Sequence, residues 1–161
     1  MLDEKKFSIR RFSPQDIDAV TEINKLCLPE NYSASFFLDI HKSFPEAFLM
    51  AEASGKTVGY IMCRIDHGFS DFRKFKLTKK GHIVSVAVIP EYRRLGVGTS
   101  LVVNAMKAVS NSEADECFLE VRVTNQNAIN LYRKLGFNIA RRASNYYFDG
   151  EDAYVMSRML P

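Results

Sequence analysis

Apolar positions recur with helical spacing in four segments of the chain. In each segment they fall three or four residues apart, which places them on one face of a helix. Ser13 and Pro14 are suited to begin the first helix, because serine caps a helix and proline needs no N–H bond at that position. The four predicted faces are Ile17, Val20, Ile23 and Cys27; Phe37, Ile40, His41 and Phe44; Val102, Ala105, Met106 and Val109; and Ala128, Leu131, Tyr132 and Leu135.

Shorter apolar runs between these helices predict seven strands. Ser54-Gly55-Lys56 predicts a hairpin turn, and Gly136 is suited to end the fourth helix. The polar segment 67–81 is expected to be a loop. The strands are predicted over residues 7–12, 47–53, 57–65, 82–89, 116–123, 137–142 and 153–159, which gives the order β-α-α-β-β-β-α-β-α-β-β.

Composition narrows the class of protein. The chain has 161 residues, of which 47% are hydrophobic and 25% charged, with a net charge of +3. These values fit a single globular domain over residues 1–161 and do not favour DNA as a ligand. Residues 1–6 lack the apolar core of a signal peptide, and the apolar run 83–89 is too short to span a bilayer, so no membrane partner is expected. Three cysteines without metal-ligand spacing indicate reduced thiols in a cytoplasmic protein, with no metal.

A basic run lies within the predicted polar loop. It is interpreted as a solvated hairpin tip, and contact with ribosomal RNA is the alternative interpretation. The run consists of Arg73, Lys74, Lys76, Lys79 and Lys80.

The strongest chemical signal is a glycine loop between the fourth strand and the third helix. Gly96 and Gly98 allow close approach of the backbone to a ligand, and the N–H groups at a helix N-terminus bind anions. Arg93 and Arg94 add positive charge, so the implied ligand is a pyrophosphate. The loop has neither the third glycine of a dinucleotide site nor the Gly-Lys-Ser/Thr of a P-loop.

Two motifs resemble those of the GNAT acetyltransferases. The segment 93–98, Arg-Arg-Leu-Gly-Val-Gly, resembles the acetyl-coenzyme A loop of that family, and Asn125-x-x-Ala128-x-x-Leu131-Tyr132-x-x-x-Gly136-Phe137 resembles its second motif. The resemblance implies an α/β GNAT fold, with a mixed, mostly antiparallel, splayed sheet of about seven strands, four helices and coenzyme A between the fourth and fifth strands. It also implies that acetyl-coenzyme A is bound by Val86, Ala87, Val88, Arg93, Arg94, Leu95, Gly96, Val97, Gly98, Thr99, Asn125 and Tyr132.

A narrower resemblance points to the substrate. Segments 27–32 and 145–154 are similar to the two segments that wall the peptide entrance in catalytic subunits of the NatA complex, and 82–85 and 118–122 are similar to archaeal homologues of that group. The bacterial RimI enzymes are close relatives. This resemblance implies N-termini of proteins or nascent peptides as substrates, and a ribosome or an auxiliary subunit as partner. The substrate-binding residues that it implies are Leu28, Pro29, Glu30, Tyr32, Tyr146 and Tyr147.

The same resemblance supplies candidate catalytic residues. Glu120 and His82 would deprotonate the amine through water, Tyr132 would protonate the departing thiolate, and Glu30 would position the ammonium group or take part in proton transfer. The structural alternatives are a loop-edge position for His82, an outward-facing carboxylate for Glu120 and Glu30, and packing for the tyrosines.

The amine substrate leaves alternatives open at this level. An α-amine titrates near 8 and a lysine near 10.4, a difference of roughly 3.3 kcal/mol in the cost of deprotonation. A water-relayed Glu/His base therefore suits an α-amine. The alternatives are acetylation of a lysine side chain or a small amine, and a non-catalytic module that binds coenzyme A.

Overall fold

Seven strands and four α-helices form in residues 6–161, the part of the chain that this computed structural model describes. Residues 1–5, on which most of the expectation about a signal peptide falls, lie outside the described residues. The helices are α1 (Ile17–Cys27), α2 (Ala34–Ser43), α3 (Val97–Asn111) and α4 (Gln126–Lys134). The strands are β1 (Ser8–Arg11), β2 (Phe48–Ala53), β3 (Lys56–Phe69), β4 (Leu77–Val88), β5 (Glu116–Arg122), β6 (Asn138–Ala143) and β7 (Ala153–Met159).

The predicted element order is confirmed, but the predicted loop 67–81 is wrong. β3 continues to Phe69 and β4 begins at Leu77, so the connection is only 70–76. The cause is a set of polar residues that pair with one another in the interior, because a prediction from apolar positions assigns polar residues to the surface. Thr78 Oγ1 donates to Asp115 at 2.7 Å, and Lys80 Nζ donates to Asp71 at 3.0 Å. Lys80 therefore lies buried within β4, as part of the strand and not at a solvated tip, and Lys79 Nζ in the same strand donates to the carbonyl of Ser112.

The strands join in one sheet in the order β1-β2-β3-β4-β5-β7-β6. The chain reverses between β3 and β4, whose backbones bond from Ile89 N to Val58 O at 2.9 Å and from Ser70 N to Lys76 O at 2.7 Å. β4 and β5 are parallel and pair over Lys80–His82 and Glu116–Phe118. The sheet is therefore mixed and largely antiparallel, as the resemblance to the GNAT acetyltransferases implies.

By its internal contacts the chain divides into two compact units. The first contains the described residues up to Arg64 together with Ile83–Ala108. Aromatic rings contact one another in its core: Phe12 and Phe48 stack with centroids 4.0 Å apart, and Phe37 meets Tyr60 edge to face at 6.1 Å. Of the predicted faces of the first two helices, Val20, Ile23, Phe37, Ile40 and Phe44 are buried, with Val20 and Phe37 at 0% exposure. Ile17, Cys27 and His41 of the same predicted faces are only half-buried.

The second unit contains Ile65–His82 and Val109–Pro161. Within it, Val109 at the end of α3 packs directly on Gly81 of β4, where a Cβ atom would come within 2.3 Å of the valine Cγ1. The apolar face of α4 differs from its prediction, because Ile129 and Tyr132 are its buried residues and Ile129 was left out of the predicted face. The predicted end of α4 is confirmed at Gly136, which has a φ of +90°.

Candidate active site

The glycine loop of the first unit precedes a helix of four turns. α3 has 15 residues, and its hydrogen bonding begins when Ser100 N donates to Gly96 O at 3.0 Å. The N–H groups of the first helical turn have no carbonyl of the helix to bond to. Gly96 has a φ of +85° and Arg94 a φ of +61°, so the turn into the helix requires the left-handed region twice. Arg93, Arg94 and Leu95 are exposed, and the positive end of the helix dipole therefore faces solvent beside two cations.

The end of β4 in the same unit offers backbone groups at one edge. Ile89 N bonds to Val58 of β3, and successive residues of a strand direct their N–H and C=O groups to alternate sides. The groups of Ala87 therefore point toward β3, and those of Val86 and Val88 point away from it. Val88 O accepts a hydrogen bond from Arg93 Nε at 2.8 Å, a contact that sequence reasoning missed and that fastens the glycine loop to the strand.

The loop after α1 is fastened by Asn24, a residue that sequence reasoning missed. The side chain is fully buried, and its Nδ2 donates to Glu30 O at 3.0 Å while its Oδ1 accepts from Tyr32 N at 3.0 Å. Nδ2 also contacts Tyr60 Oη at 3.1 Å, and Tyr60 Oη lies 2.7 Å from Ser85 Oγ. Burial raises the pKa of Tyr60 to about 12. The signal in the sequence was a polar residue on an otherwise apolar helix face, which could have identified Asn24 as a buried residue with polar partners.

The predicted substrate-binding residues of this loop lie at the surface in different degrees. Leu28, Glu30 and Tyr32 are half-buried and Pro29 is exposed. The ring of Tyr32 stacks on Phe36 of α2 with centroids 4.7 Å apart, so packing, its structural alternative, is present.

The second unit brings His82 and Glu120 together. His82 Nε2 lies 2.7 Å from Glu120 Oε1, and the side chains are 10% and 16% exposed. His82 is not at the edge of a loop, because it lies within β4 and its ring stacks on Phe118 at 4.3 Å. Glu120 lies on β5 and, since it bonds to a buried ring, is not an outward-facing carboxylate. An ionised carboxylate only accepts hydrogen bonds, so Nε2 is the donor when Glu120 is ionised.

Asp66 lies on the other side of the imidazole. Its Oδ2 is 3.6 Å from His82 Nδ1, and Nδ1 is buried without a hydrogen bond to any described residue. A proton on Nδ1 would therefore meet a second carboxylate. The histidine lies between two acids from different strands, which is an arrangement suited to holding and moving a proton.

α4 carries Asn125 at its start and Tyr132 on its inner face. Asn125 Oδ1 accepts from Ala128 N at 3.3 Å, which confirms the predicted helix cap. Tyr132 is 7% exposed and meets Phe137 edge to face at 6.0 Å. Packing therefore accounts for the ring of Tyr132, and its acid role stays a prediction.

Tyr146 and Tyr147 lie in the turn between β6 and β7. Tyr146 is 49% exposed and is therefore not a core residue, and the two rings meet edge to face at 5.0 Å. The guanidinium carbon of Arg122 lies 4.0 Å from the centroid of Tyr147, and Arg122 also pairs with Asp149 and Glu151 at 2.9 Å each.

The charges of this turn are held close to one another. A hydrogen bond from Thr124 is the largest cause that lowers the pKa of Glu151, and a hydrogen bond from Arg122 is the second. Arg122 thus supports the turn, a role that the motif around it did not reveal.

The residues that the structure brings together lie within single units. His82 contacts Glu120 in the second unit, and the loop 28–32 is fastened to Asn24 in the first.

In the described residues no helix is long and apolar enough to cross a membrane. Across residues 6–161 no group of three or more His, Cys, Asp or Glu side chains is placed to hold a metal ion.

The chain belongs to the GNAT family of acetyltransferases, whose family model matches residues 17–137. A similar curated relative is the N-alpha-acetyltransferase of Sulfurisphaera tokodaii, with 49% identity over 97% of this chain and 95% of the relative. The N-terminal acetyltransferase A complex catalytic subunit NAA10 of Arabidopsis thaliana is 37% identical over 94% of this chain and 77% of that protein. The solved structure of Ard1 from Thermoplasma volcanium has a TM-score of 0.84 and 34% identity, covering 96% of this chain and 98% of that one. The fold and family expected from the two motifs are thereby confirmed, and so is the resemblance to catalytic subunits of NatA.

Proposed function

We propose that this chain transfers the acetyl group of acetyl-coenzyme A to the α-amino group of protein N-termini. Membership of the GNAT family and similarity to N-alpha-acetyltransferases support this activity. In the chain's own structure, the observation that carries the proposal is the pair formed by Glu120 and the buried His82, 2.7 Å apart. A carboxylate held in this way suits the acceptance of the proton that an α-ammonium group must lose before it attacks a thioester.

The glycine loop fits the pyrophosphate of acetyl-coenzyme A. First-turn N–H groups without a carbonyl of the helix, the dipole of a 15-residue helix and two exposed arginines favour an anion there. We assign to this ligand the N–H groups of residues 94–99 and the outward backbone groups of Val86 and Val88, with Asn125 as a further contact. Acetyl-coenzyme A supplies the acetyl group as a thioester.

The roles of the side chains follow from their chemistry. Glu120 takes the amine proton, through a water molecule, and His82 orients the carboxylate. The amine nitrogen then forms a bond to the acetyl carbon while the carbon–sulfur bond breaks, and the nitrogen releases its second proton through water, which restores the proton that Tyr132 gives up. Tyr132 gives its phenolic proton to the departing thiolate, and Glu30 positions the ammonium group of the substrate.

An α-amine substrate is favoured over a lysine side chain or a small amine. Deprotonation of an α-amine costs about 3.3 kcal/mol less than that of lysine near neutral pH, so a weak base such as a carboxylate suffices. Leu28, Pro29, Glu30 and Tyr32, with Tyr146 and Tyr147, would bind the first residues of the peptide. The similar proteins named as α-amine acetyltransferases do not favour a non-catalytic module.

The cellular setting is a finer part of the proposal. The substrates are N-termini of proteins, and we extend this to nascent peptides that meet the enzyme in the cytoplasm. A ribosome or an auxiliary subunit is the partner proposed there, by analogy with the NatA catalytic subunit that this chain resembles.

A peptide with a blocked N-terminus tests the substrate assignment. A peptide that starts with Ser or Ala and contains several lysines should be acetylated at its α-amine, as located by mass spectrometry. The same peptide with an N-formyl group should give no product. If the formylated peptide is acetylated at a similar rate, the enzyme modifies lysine side chains and the proposal is wrong.

A further inference from the structure

The connection between β3 and β4 exposes an unusual amount of apolar surface. We refer to residues 69–77 as the hairpin tip. Phe69, Phe72, Phe75 and Leu77 are 64%, 43%, 86% and 69% exposed. Three exposed phenylalanines within seven residues are not explained by packing, and exposed apolar clusters of this kind mark interaction sites.

The tip is also positively charged. Arg73, Lys74 and Lys76 are exposed and form no salt bridge with any described residue. The acidic residue of the tip, Asp71, is turned inward, where Lys80 lies 3.0 Å from its carboxylate. The outer surface of the tip therefore presents three cations and no carboxylate.

The inner side of the tip is fixed to the second unit. Asp71 N donates to Glu116 at 3.0 Å, and Ser157 Oγ lies 2.5 Å from the Asp71 carboxylate. Ser70 Oγ, which itself donates to Glu116, accepts from the backbone N–H of Phe72 at 3.0 Å. A backbone anchored at several points holds its exposed rings in defined positions, which lowers the entropy lost on binding a partner.

One phenylalanine is held against its backbone preference. Phe75 has a φ of +59°, a region that bulky side chains rarely occupy. Its ring is the most exposed of the tip, so burial does not compensate for the strain. Strained residues of this kind cluster at functional sites.

We propose that the hairpin tip is a docking surface for single-stranded RNA. Unpaired bases stack on exposed aromatic rings, while phosphates pair with lysine and arginine, so interleaved rings and cations match this ligand. A membrane fits less well: Ser70 bonds to Lys76 across the tip, which places Arg73 at the apex. A cation would then enter the hydrocarbon first. A duplex fits less well than a single strand, because its bases are already stacked.

Fluorescence anisotropy with a labelled single-stranded oligouridine of 12 nucleotides tests the proposal on the full chain. Three phosphate contacts give a salt slope of about −2, so affinity should fall about 20-fold between 50 and 200 mM salt. The triple variant Arg73→Gln/Lys74→Gln/Lys76→Gln should bind at least tenfold more weakly and lose most of this salt dependence. Acetylation of a short peptide should be unchanged.

A matched control removes the same charge elsewhere. Lys25, Lys42 and Lys107 are exposed and lie outside the tip, so changing all three to Gln should alter RNA affinity less than twofold. Phe75→Asn separates binding from folding, since asparagine tolerates a positive φ. This variant should weaken RNA binding about tenfold, as for one lost stacking contact, while the melting temperature does not fall.

Two results would overturn the proposal. The first is a wild-type chain that does not bind the oligonucleotide at 50 mM salt; if that chain sediments with phosphatidylserine vesicles, the tip is a membrane surface. The second is a control triple variant that weakens binding as much as the tip variant.

Discussion

Replacing Asn24 tests whether the loop 28–32 binds the peptide substrate. Its side chain makes three hydrogen bonds from a fully buried position: to Glu30 O, from Tyr32 N and with Tyr60 Oη. At about 1 kcal/mol for each bond, Asn24→Ala should lower the free energy of unfolding by about 3 kcal/mol. For a chain of this size the melting temperature should fall by roughly 6–12 °C. Two of the three bonds fasten the loop backbone, so the loop should also lose its fixed position.

The assay is steady-state kinetics with an N-terminal peptide and acetyl-coenzyme A varied separately. A loss of about 1.4 kcal/mol in peptide binding corresponds to a tenfold rise in peptide KM. The KM for acetyl-coenzyme A should stay within twofold, because within the described residues the side chain of Asn24 bonds to Glu30, Tyr32 and Tyr60 and not to the glycine loop.

Tyr60→Phe is the matched control for Asn24→Ala. It removes the hydroxyl that contacts Asn24 and Ser85, but leaves both bonds to the loop backbone. It should lower the melting temperature and leave peptide KM unchanged. If both variants raise peptide KM equally, or if neither does, the reasoning that Asn24 positions the peptide loop is refuted.

Three further substitutions test the base, the cofactor loop and the packing beneath β4. Glu120→Gln keeps the shape but cannot take a proton, so kcat should fall by about 10² with little change in affinity for coenzyme A; wild-type kcat from pH 6 to 9 would exclude Glu120 as the base. Gly98→Asp adds bulk and a negative charge where pyrophosphate is expected, and calorimetry should show at least a tenfold weaker affinity, whereas unchanged affinity would remove the loop from the site. Gly81→Ala places a Cβ 2.3 Å from Val109, which should lower the free energy of unfolding by about 1–3 kcal/mol, as measured by chemical denaturation. Adding Val109→Ala to the same chain should recover part of this loss, whereas additive losses would contradict direct contact.

The sequence predicted those parts of the fold that depend on local patterns. The faces of α1, α2 and α3 follow from helical spacing, and the cap at Asn125 and the glycine loop follow from residue types at fixed offsets. Their confirmation reflects physics that acts within a few residues of the chain.

The parts that the sequence did not predict depend on contacts between distant residues. The extent of β3 and β4 was missed because Lys80 pairs with Asp71 and is buried. Thr78 is likewise buried and bonds to Asp115, which lies 37 positions further along the chain. Asn24 was missed for the same reason, since its partner Tyr60 is 36 positions away. A prediction from apolar positions assigns every polar residue to the surface, so it misses polar residues that pair with one another in the interior.

The cap of α4 also determines which hydrogen-bonding group is presented to a ligand at the start of this helix. Asn125 Oδ1 accepts from Ala128 N, so the oxygen of the amide is committed to the helix and its orientation is known. The NH2 group is then the end of the exposed side chain that a ligand meets, and it is a donor only. A molecule bound beside this helix must therefore offer an acceptor, such as an amide carbonyl. Asn125→Asp would keep the cap and replace the NH2 group by a negatively charged oxygen that only accepts hydrogen bonds, which separates helix stability from ligand recognition.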